Sequence, residues 1–282
     1  VISNAIGLCV NCLRKGFKLP RNMHVESRSR FKLQVFVEYS EGLKCNICGR
    51  GCSIKPGGRG YCNYRLASNG LIKPSTGMDT DAVGLYYYDP HPTNCVAFPV
   101  CPAITGRGYP DYALSPRGEH GYYNIAVFYG GCNLDCLYCQ NWEYRELARN
   151  DAPRLSIDAL VNAVNERTTC VCYFGGDPGP FAPHAILASR KMKAKAQSMG
   201  LRVFRICWET NGLWNPSLLE EAVKLSLISG GIVKIDFKAW SPEVYKTLCD
   251  VEEKHVNLIR NNIKLVAKYI DKRREPPLLV VS

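Results

Sequence analysis

The sequence predicts an α/β protein in which parallel βα units curl into an open or closed barrel, preceded by a small cysteine-rich module. Three observations carry this. From Ile125 onward, short apolar runs of strand type alternate with helical patterns, as βα units on a parallel sheet require. A C-x3-C-x2-C loop (Cys132, Cys136, Cys139) follows the first of these runs. Before about residue 120 the chain is rich in cysteine and glycine and poor in long periodic stretches. The expected organisation is a metal-binding region over 1–120 and a barrel-type core over 121–282, divided in the Gly/Pro-rich stretch near 110–122.

In chain order, Cys9 and Cys12 form a C-x2-C pair. Cys45, Cys48, Cys52 and Cys62 then read C-x2-C-x3-C-x9-C, with Gly51, Gly57, Gly58 and Gly60 between them. Such glycines let backbone approach a metal centre closely. Four cysteines make a complete ligand set for zinc or for a four-thiolate iron–sulfur cluster, and spacing does not separate the two. Unliganded buried thiols are the alternative. Cys95 and Cys101 sit in a Pro-rich loop; by count alone they complete a four-thiolate site with Cys9 and Cys12, or else pack as ordinary thiols.

The first core strand is Ile125 to Tyr129, ended by Gly130-Gly131. After the cysteine loop, Ser156 reads as the N-cap of a helix through Val164. Cys170 to Phe174 is the second strand, closed by Gly175-Gly176. Ala185 to Met199 is a helix ended by Gly200, and Arg202 to Trp208 is the third strand. Asn215-Pro216 opens a helix to Ile228, with Pro at the favoured first position, and Gly230-Gly231 breaks it. Ile232 to Phe237 is the fourth strand, and Ser241-Pro242 starts another helical stretch. From Val256 to Ile270 the apolar positions Ile259, Ile263, Val266 and Ile270 trace one helical face. Leu278 to Val281 is the fifth strand. No internal repeat or low-complexity tract interrupts this order.

The chain has 282 residues, 46% of them hydrophobic, enough for a sizeable core. Eight of its 15 cysteines fall into C-x2-C and C-x3-C groups, and there is no secretory signal at its start. In a chain of this length that pattern points to metal binding in a reducing, cytoplasmic compartment rather than to a disulfide scaffold. No apolar run approaches the roughly 18–20 residues of a membrane span. The formal charge of +11 falls to about +8 if the cysteine sets carry one three-thiolate and one four-thiolate cluster. Basic residues are dense from Arg14 to Lys32 and from Arg190 to Lys195. No aromatic residues alternate with them as a nucleic-acid stacking platform requires, so solvated faces are favoured over RNA binding. Val1 in place of an initiator methionine, and a final apolar run ending at Ser282, suggest a chain incomplete at both ends.

A structural zinc site is closed by four protein ligands, and an electron-transfer cubane is held by four thiolates. The loop at Cys132, Cys136 and Cys139 offers three, and the next cysteine, Cys170, lies 31 residues on within a strand pattern. Three thiolates on a cubane leave one iron open to bind a substrate. At the carboxyl ends of the following strands stand Gly175-Gly176-Asp177-Pro178, Glu209-Thr210-Asn211-Gly212 and Asp236-Phe237-Lys238. Period-two alternation puts Asp236 and Lys238 on one side; a structural ion pair is the plain alternative there, and most Gly-Gly pairs are simply turns.

With Tyr138 just before its last cysteine, the loop resembles the radical S-adenosylmethionine (SAM) signature. This resemblance implies a partial (β/α)6 TIM-like barrel of the radical SAM type and a [4Fe-4S] cluster on Cys132, Cys136 and Cys139. It further implies that SAM chelates the fourth iron and is cleaved reductively to a 5′-deoxyadenosyl radical, by an oxygen-sensitive enzyme. The T-N-G and D-x-K motifs, with Gln140-Asn141 after the last cysteine, are similar to the pyruvate formate-lyase activating enzyme branch, the glycyl-radical activases. With the Cys45 to Cys62 module, the chain from about residue 43 more closely resembles radical SAM proteins associated with AMMECR1 and Memo family proteins.

Carried onto this chain, the resemblance puts Tyr138 against the adenine and Gly175, Gly176 and Asp177 at the methionine end, with Asp177 replacing the usual Glu. Glu209, replacing the usual Asp, would form a monovalent-cation site with Thr210 and Asp236, beside Asn211. Lys238 would contact the SAM carboxylate, and Asn141 would line the cofactor site. It also implies a flavodoxin- or ferredoxin-type electron donor and a protein or peptide substrate, and a sixth strand for which this chain has no counterpart. The competing readings are a radical SAM enzyme acting on RNA or a small molecule, and a non-catalytic iron–sulfur or zinc-ribbon interaction or electron-transfer protein.

Overall fold

The computed structural model describes residues 9, 11–12, 15, 19–37 and 39–282, so Val1 and, in the first basic run, Arg14 and Lys18 lie outside the described residues. The chain enters as helix α1 (Leu19–Arg30). Two small hairpins follow, β1 (Leu43–Lys44) with β2 (Ser53–Ile54) and β3 (Arg65–Ser68) with β4 (Leu71–Pro74). Strand β5 (Asp81–Pro90) leads through the short helix α2 (Pro102–Thr105) to β6 (Tyr123–Tyr129). Then come α3 (Tyr144–Asn150), β7 (Arg154–Ser156), α4 (Ile157–Asn162), β8 (Thr168–Phe174) and α5 (Ala182–Ser198). The last elements are β9 (Arg205–Thr210), α6 (Pro216–Ser229), β10 (Val233–Ile235), α7 (Pro242–Cys249), α8 (Glu253–Ala267) and β11 (Leu279–Val281).

Local chemistry sets these bounds. The Ser156 hydroxyl accepts from the Ala159 N–H and caps α4. Asn215 caps α6 through the Ser217 and Leu218 N–H groups, with Pro216 following, and Gly230 ends the helix in the left-handed region. Ser241 caps α7 in the same way, with Pro242 at its start. Each cap supplies an acceptor to N–H groups that have no partner within the helix.

The main sheet has the order β11-β10-β9-β8-β6-β5-β7. β6, β8, β9, β10 and β11 are parallel, each added on the same side of the one before, while β7 pairs antiparallel with β5 at the other edge. This is the winding of a barrel, but among the described residues the sheet stays open. β9 extends to Thr210, two residues past the strand expected from Arg202 to Trp208. The ladder continues through the polar pair Glu209 and Lys234, which apolar patterning cannot see.

β5 pairs antiparallel with β6 from Gly84–Tyr129 to Pro90–Tyr123, so the sheet extends across the boundary expected near 110–122. Its pattern is blurred because Leu85, Tyr87 and Tyr88 are all exposed.

Side chains alternate between the two faces. Ile125, Val127, Tyr129, Val171, Tyr173, Ile206 and Trp208 form the helix-side core. Rings stack there, Tyr129 on Phe181 at 4.3 Å and Tyr173 on Trp208 at 4.6 Å. The opposite face carries Asn124, Cys170, Cys172, Arg205, Cys207, Glu209 and Lys234, polar and rich in thiols. Residues 91–119 plug its amino end. Arg205 donates to Glu119 Oε1 at 2.7 Å and Oε2 at 2.5 Å, to Thr169 Oγ1 at 2.9 Å and to the Tyr112 carbonyl at 2.8 Å. Both charges of this pair are buried. Burial alone would raise the Glu119 carboxyl, but Arg205 holds it below its usual range.

Arg205→Ala should therefore destabilise the fold by about 3–5 kcal/mol, because Glu119 is left as an uncompensated buried charge; anaerobic urea denaturation reads this directly. A second expectation concerns acid. His184 is buried between the Tyr129 hydroxyl at 2.9 Å and the Leu155 carbonyl at 3.1 Å, and burial pushes its pKa down to about 4. The unfolded chain takes up this proton near pH 6.5, so unfolding binds more protons between those values and stability falls as pH drops through that window. Urea unfolding should show a loss of about 2 kcal/mol from His184 between pH 7 and pH 5, with a shallower slope in His184→Gln.

Candidate metal and cofactor site

Strand β6 delivers the cysteine loop to the carboxyl edge of the sheet. Glycine is required at its start, because a Cβ on Gly131 would lie 2.8 Å from the Cys62 carbonyl oxygen and one on Gly130 would lie 2.6 Å from Val83. Cys132 is buried, and its sulfur meets the Leu134 N–H at 3.4 Å and the Asn211 side-chain amide at 3.7 Å. Cys136 and Cys139 are half-buried. Burial pushes the Cys132 and Cys139 thiols above their usual pKa, with Cys136 a further raising neighbour of both, while the Cys136 thiol is raised first by its hydrogen bond with Cys249 and then by burial. The Asn141 main chain hydrogen-bonds Cys139.

Among the described residues no three Cys, His, Asp or Glu side chains converge on a point that one ion would fill. The donor set does fit a cysteine-ligated cluster: three neighbouring thiols, two of them met by amide donors of the kind that stabilise cysteinate sulfur.

The residue that fixes the loop lies inside the motif and carries no thiol. Asp135 is fully buried. Its carboxylate meets His24 Nδ1 at 2.9 Å, and Arg145 donates to it at 2.8 and 3.2 Å. Arg28 lies 3.9 Å away. Burial opposes the charge, but His24, Arg28 and Arg145 hold the carboxyl down at about 2. The sequence signal was faint, a lone acid among buried neighbours, with two of its partners more than a hundred residues earlier.

Each strand-end motif is at the same edge, but its side chains divide between two faces. Gly175 and Gly176 both take positive φ; a Cβ on Gly176 would lie 2.3 Å from the Gly131 carbonyl oxygen. Asp177 is buried and accepts from the Gly179 N–H at 2.7 Å, the Asn211 N–H at 2.7 Å and the Thr210 hydroxyl at 2.8 Å. Burial raises its pKa to about 6 against these donors. The carboxylate thus braces two strand ends, leaving the Gly175-Gly176 backbone as the part of this motif suited to a ligand. Thr210 also accepts from the Trp214 indole at 2.7 Å, on the helix side of β9.

Glu209 points the other way, 3.2 Å from Lys234. Glu209, Thr210 and Asp236 are therefore not gathered into one cation site, because consecutive strand residues face opposite sides. Asp236 and Lys238 do share a side and pair with each other, with Asp236 half-exposed. The Lys238 ammonium lies 5.8 Å from the centre of the Tyr138 ring. Asn211 donates to Asn133 Oδ1 at 2.8 Å as well as to Cys132, tying β9 to the cysteine loop.

Cys249, at the end of α7, was not singled out by any motif. It is fully buried with its sulfur 3.5 Å from that of Cys136, while the Asp135 N–H donates to its carbonyl at 3.1 Å. Cys45, Cys48, Cys52 and Cys62 are all buried and lie within electrostatic reach of one another, with burial raising Cys45 to about 12. Cys9 and Cys12 sit 3.4 Å apart on an exposed segment, and they do not converge with Cys95 and Cys101 on one ion. Cys95 instead lies against Lys234.

A parallel sheet wound like a barrel, with three thiols on the loop after its first parallel strand, places a donor set suited to an iron–sulfur cluster at the strand ends. The radical SAM superfamily model matches residues 126–274, just over half of the chain. The chain belongs to the radical SAM superfamily, whose members use a [4Fe-4S] cluster and SAM. Over 111 residues, 39% of this chain, it is 28% identical to the uncharacterized protein MJ0808 of Methanocaldococcus jannaschii; the match spans 27% of that protein's length. Among the described residues no helix is long and apolar enough to cross a membrane.

Asn211→Ala should leave a folded protein about 1–3 kcal/mol less stable, since the buried Asn133 Oδ1 loses its donor. Its cluster should release iron to a chelator faster than wild type, which a colorimetric iron assay follows.

Proposed function

We propose that this radical SAM enzyme belongs to the pyruvate formate-lyase activating enzyme-like branch and takes hydrogen from a protein or peptide substrate. One observation carries the reading: the three-thiol loop sits beside Lys238 and Asp236, with Tyr138, Trp142 and Trp240 exposed at 47%, 44% and 78% around it. Exposed aromatics of this kind are enriched at protein-binding surfaces. When bound, the cluster supplies the electron that cleaves SAM, and the cofactor carries the hard chemistry. The chain supplies position and shielding.

In this reading Cys132, Cys136 and Cys139 would hold the cluster, and the backbone of Gly175 and Gly176 would hold the amino group of SAM. Lys238 would hold its carboxylate, while Tyr138, beside Asn141, would bind the adenine. Asp177, Thr210 and Asn211 act by holding these groups in place. Glu209 and Asp236 are paired with Lys234 and Lys238, so either would take a monovalent cation only on release from its ammonium partner. The Cys45, Cys48, Cys52 and Cys62 set holds zinc or a second cluster. A flavodoxin- or ferredoxin-type donor would meet a chain of net charge +11, which favours an acidic partner.

The test is anaerobic incubation of the reduced protein with SAM and deuterated candidate peptides or RNA. Deuterium in 5′-deoxyadenosine from a peptide is expected. Label arriving only from RNA would move the substrate to nucleic acid, and absence of SAM cleavage in protein holding about four irons would overturn the enzymatic reading. Alanine at Cys132, Cys136 or Cys139 should abolish SAM cleavage while the iron or zinc of the amino-terminal set is retained.

A further inference from the structure

The strand face opposite the helices holds a second group of thiols that the SAM chemistry does not use. Lys234 is 3% exposed at its side chain, and its ammonium lies 3.3 Å from Cys95 Sγ, 3.1 Å from Cys172 Sγ and 3.2 Å from Glu209. Between Cys95 and Cys101 the chain makes two successive tight turns, Phe98 N–H to the Cys95 carbonyl and Val100 N–H to the Ala97 carbonyl, both at 2.9 Å. These turns fold the two thiols onto each other. Both cysteines are half-buried, and Val96 and Phe98 between them are exposed, so the segment is reachable from solvent.

We propose that Cys95 and Cys101 form a redox-active dithiol that exchanges with small disulfides, with Cys95 as the attacking sulfur and Lys234 as the cation that holds it as thiolate. The arrangement is that of an activated cysteine: a thiolate beside a buried ammonium, with a second thiol donating to it. The hydrogen bond from Cys101 and the charge of Lys234 bring the Cys95 thiol down to about 6, while the same bond and burial raise Cys101. Cys172 touches the same ammonium but is raised by burial, which leaves Cys95 as the ionised partner.

The exchange balances without further reagents. Cys95 sulfur attacks one sulfur of a small disulfide, forming a mixed disulfide and releasing one thiolate. Cys101 then gives up its proton to that thiolate and attacks the Cys95 sulfur, releasing the second thiolate. The protein gains one disulfide, and one small disulfide is reduced to one thiol and one thiolate, which carries off the charge that Cys95 held. This inference is independent of the substrate assigned to the SAM site.

The experiment uses cluster-loaded, anaerobic protein with Cys9 and Cys12 replaced by serine, treated with oxidised glutathione and read by peptide mass spectrometry. A Cys95–Cys101 disulfide is expected, and Cys101→Ser should stop at glutathione on Cys95. Iodoacetamide should modify Cys95 about two- to threefold faster at pH 7 than an ordinary exposed thiol, and Lys234→Met should remove that advantage. Should Lys234→Met fail to fold, the first two readouts decide alone. Glutathione found elsewhere but not on Cys95 in the Cys101→Ser protein would overturn the proposal, as would a Cys95 no faster than a free model thiol.

Discussion

The cysteine loop owes its shape to a buried negative charge, Asp135, and most of the surrounding architecture exists to balance it. A carboxylate removed from water is costly unless cations and hydrogen bonds replace the solvent. His24 from α1 and Arg145 from α3 do so directly. His24 also reaches the Thr247 carbonyl of α7 at 3.0 Å, and the Leu137 N–H donates to the Leu248 carbonyl at 2.9 Å. The loop is thereby held by α1, α3 and α7, and by Asn211 from the end of β9. Its three thiols are spaced by this clamp rather than by the cysteines themselves.

The amino-terminal cysteine module is part of the same mechanical unit. Arg28 and Arg50 each lie 3.5 Å from the centre of the Tyr61 ring. Arg50 also donates to the Asn133 carbonyl at 2.9 Å, inside the catalytic loop, and the Tyr61 hydroxyl donates to Asp250 at 2.6 Å just beyond α7. Arg28 in turn lies within range of Asp135. One aromatic ring between two guanidinium groups thus joins the two cysteine sets through charge and stacking. The two sets are packed against each other at Arg50 and Gly131, without any shared ligand.

Much of this was legible from sequence because it is local. Ser156 caps the helix it was read to cap, Asn215 and Ser241 cap the helices they were read to open, and the strand after strand winding follows from the apolar periods of Val171, Ile206 and Val233. Non-local pairing was not legible. β5 contributes a run of tyrosines with no clean alternation, and only the register with β6 makes it a strand. The Glu209-Thr210 motif could be recognised as words, but which face each side chain takes depends on where the ladder ends. Cys249 belongs to no spacing pattern and is brought to Cys136 by the length of α7. Asp135 was visible as a letter, whereas its partners His24 and Arg28 are set by how α1 docks.

The strand face opposite the helices shows how one buried cation constrains the chemistry above it. Barrel interiors are usually filled with branched aliphatic side chains, yet this open sheet places Arg205, Lys234 and three cysteines there. Arg205 is neutralised by Glu119 from the plug at residues 91–119, and Lys234 by Glu209. One level higher, Asp236 is taken by Lys238. Both carboxylates that the T-N-G and D-x-K motifs offer to a monovalent cation are therefore already held by ammonium groups of this chain. A cation entering there must displace Lys238 from Asp236, and a freed Lys238 would face the same opening as Tyr138 and the cluster thiols. Binding of a cation and binding of an anionic group by Lys238 are for that reason coupled in the same direction: each leaves the other's partner available.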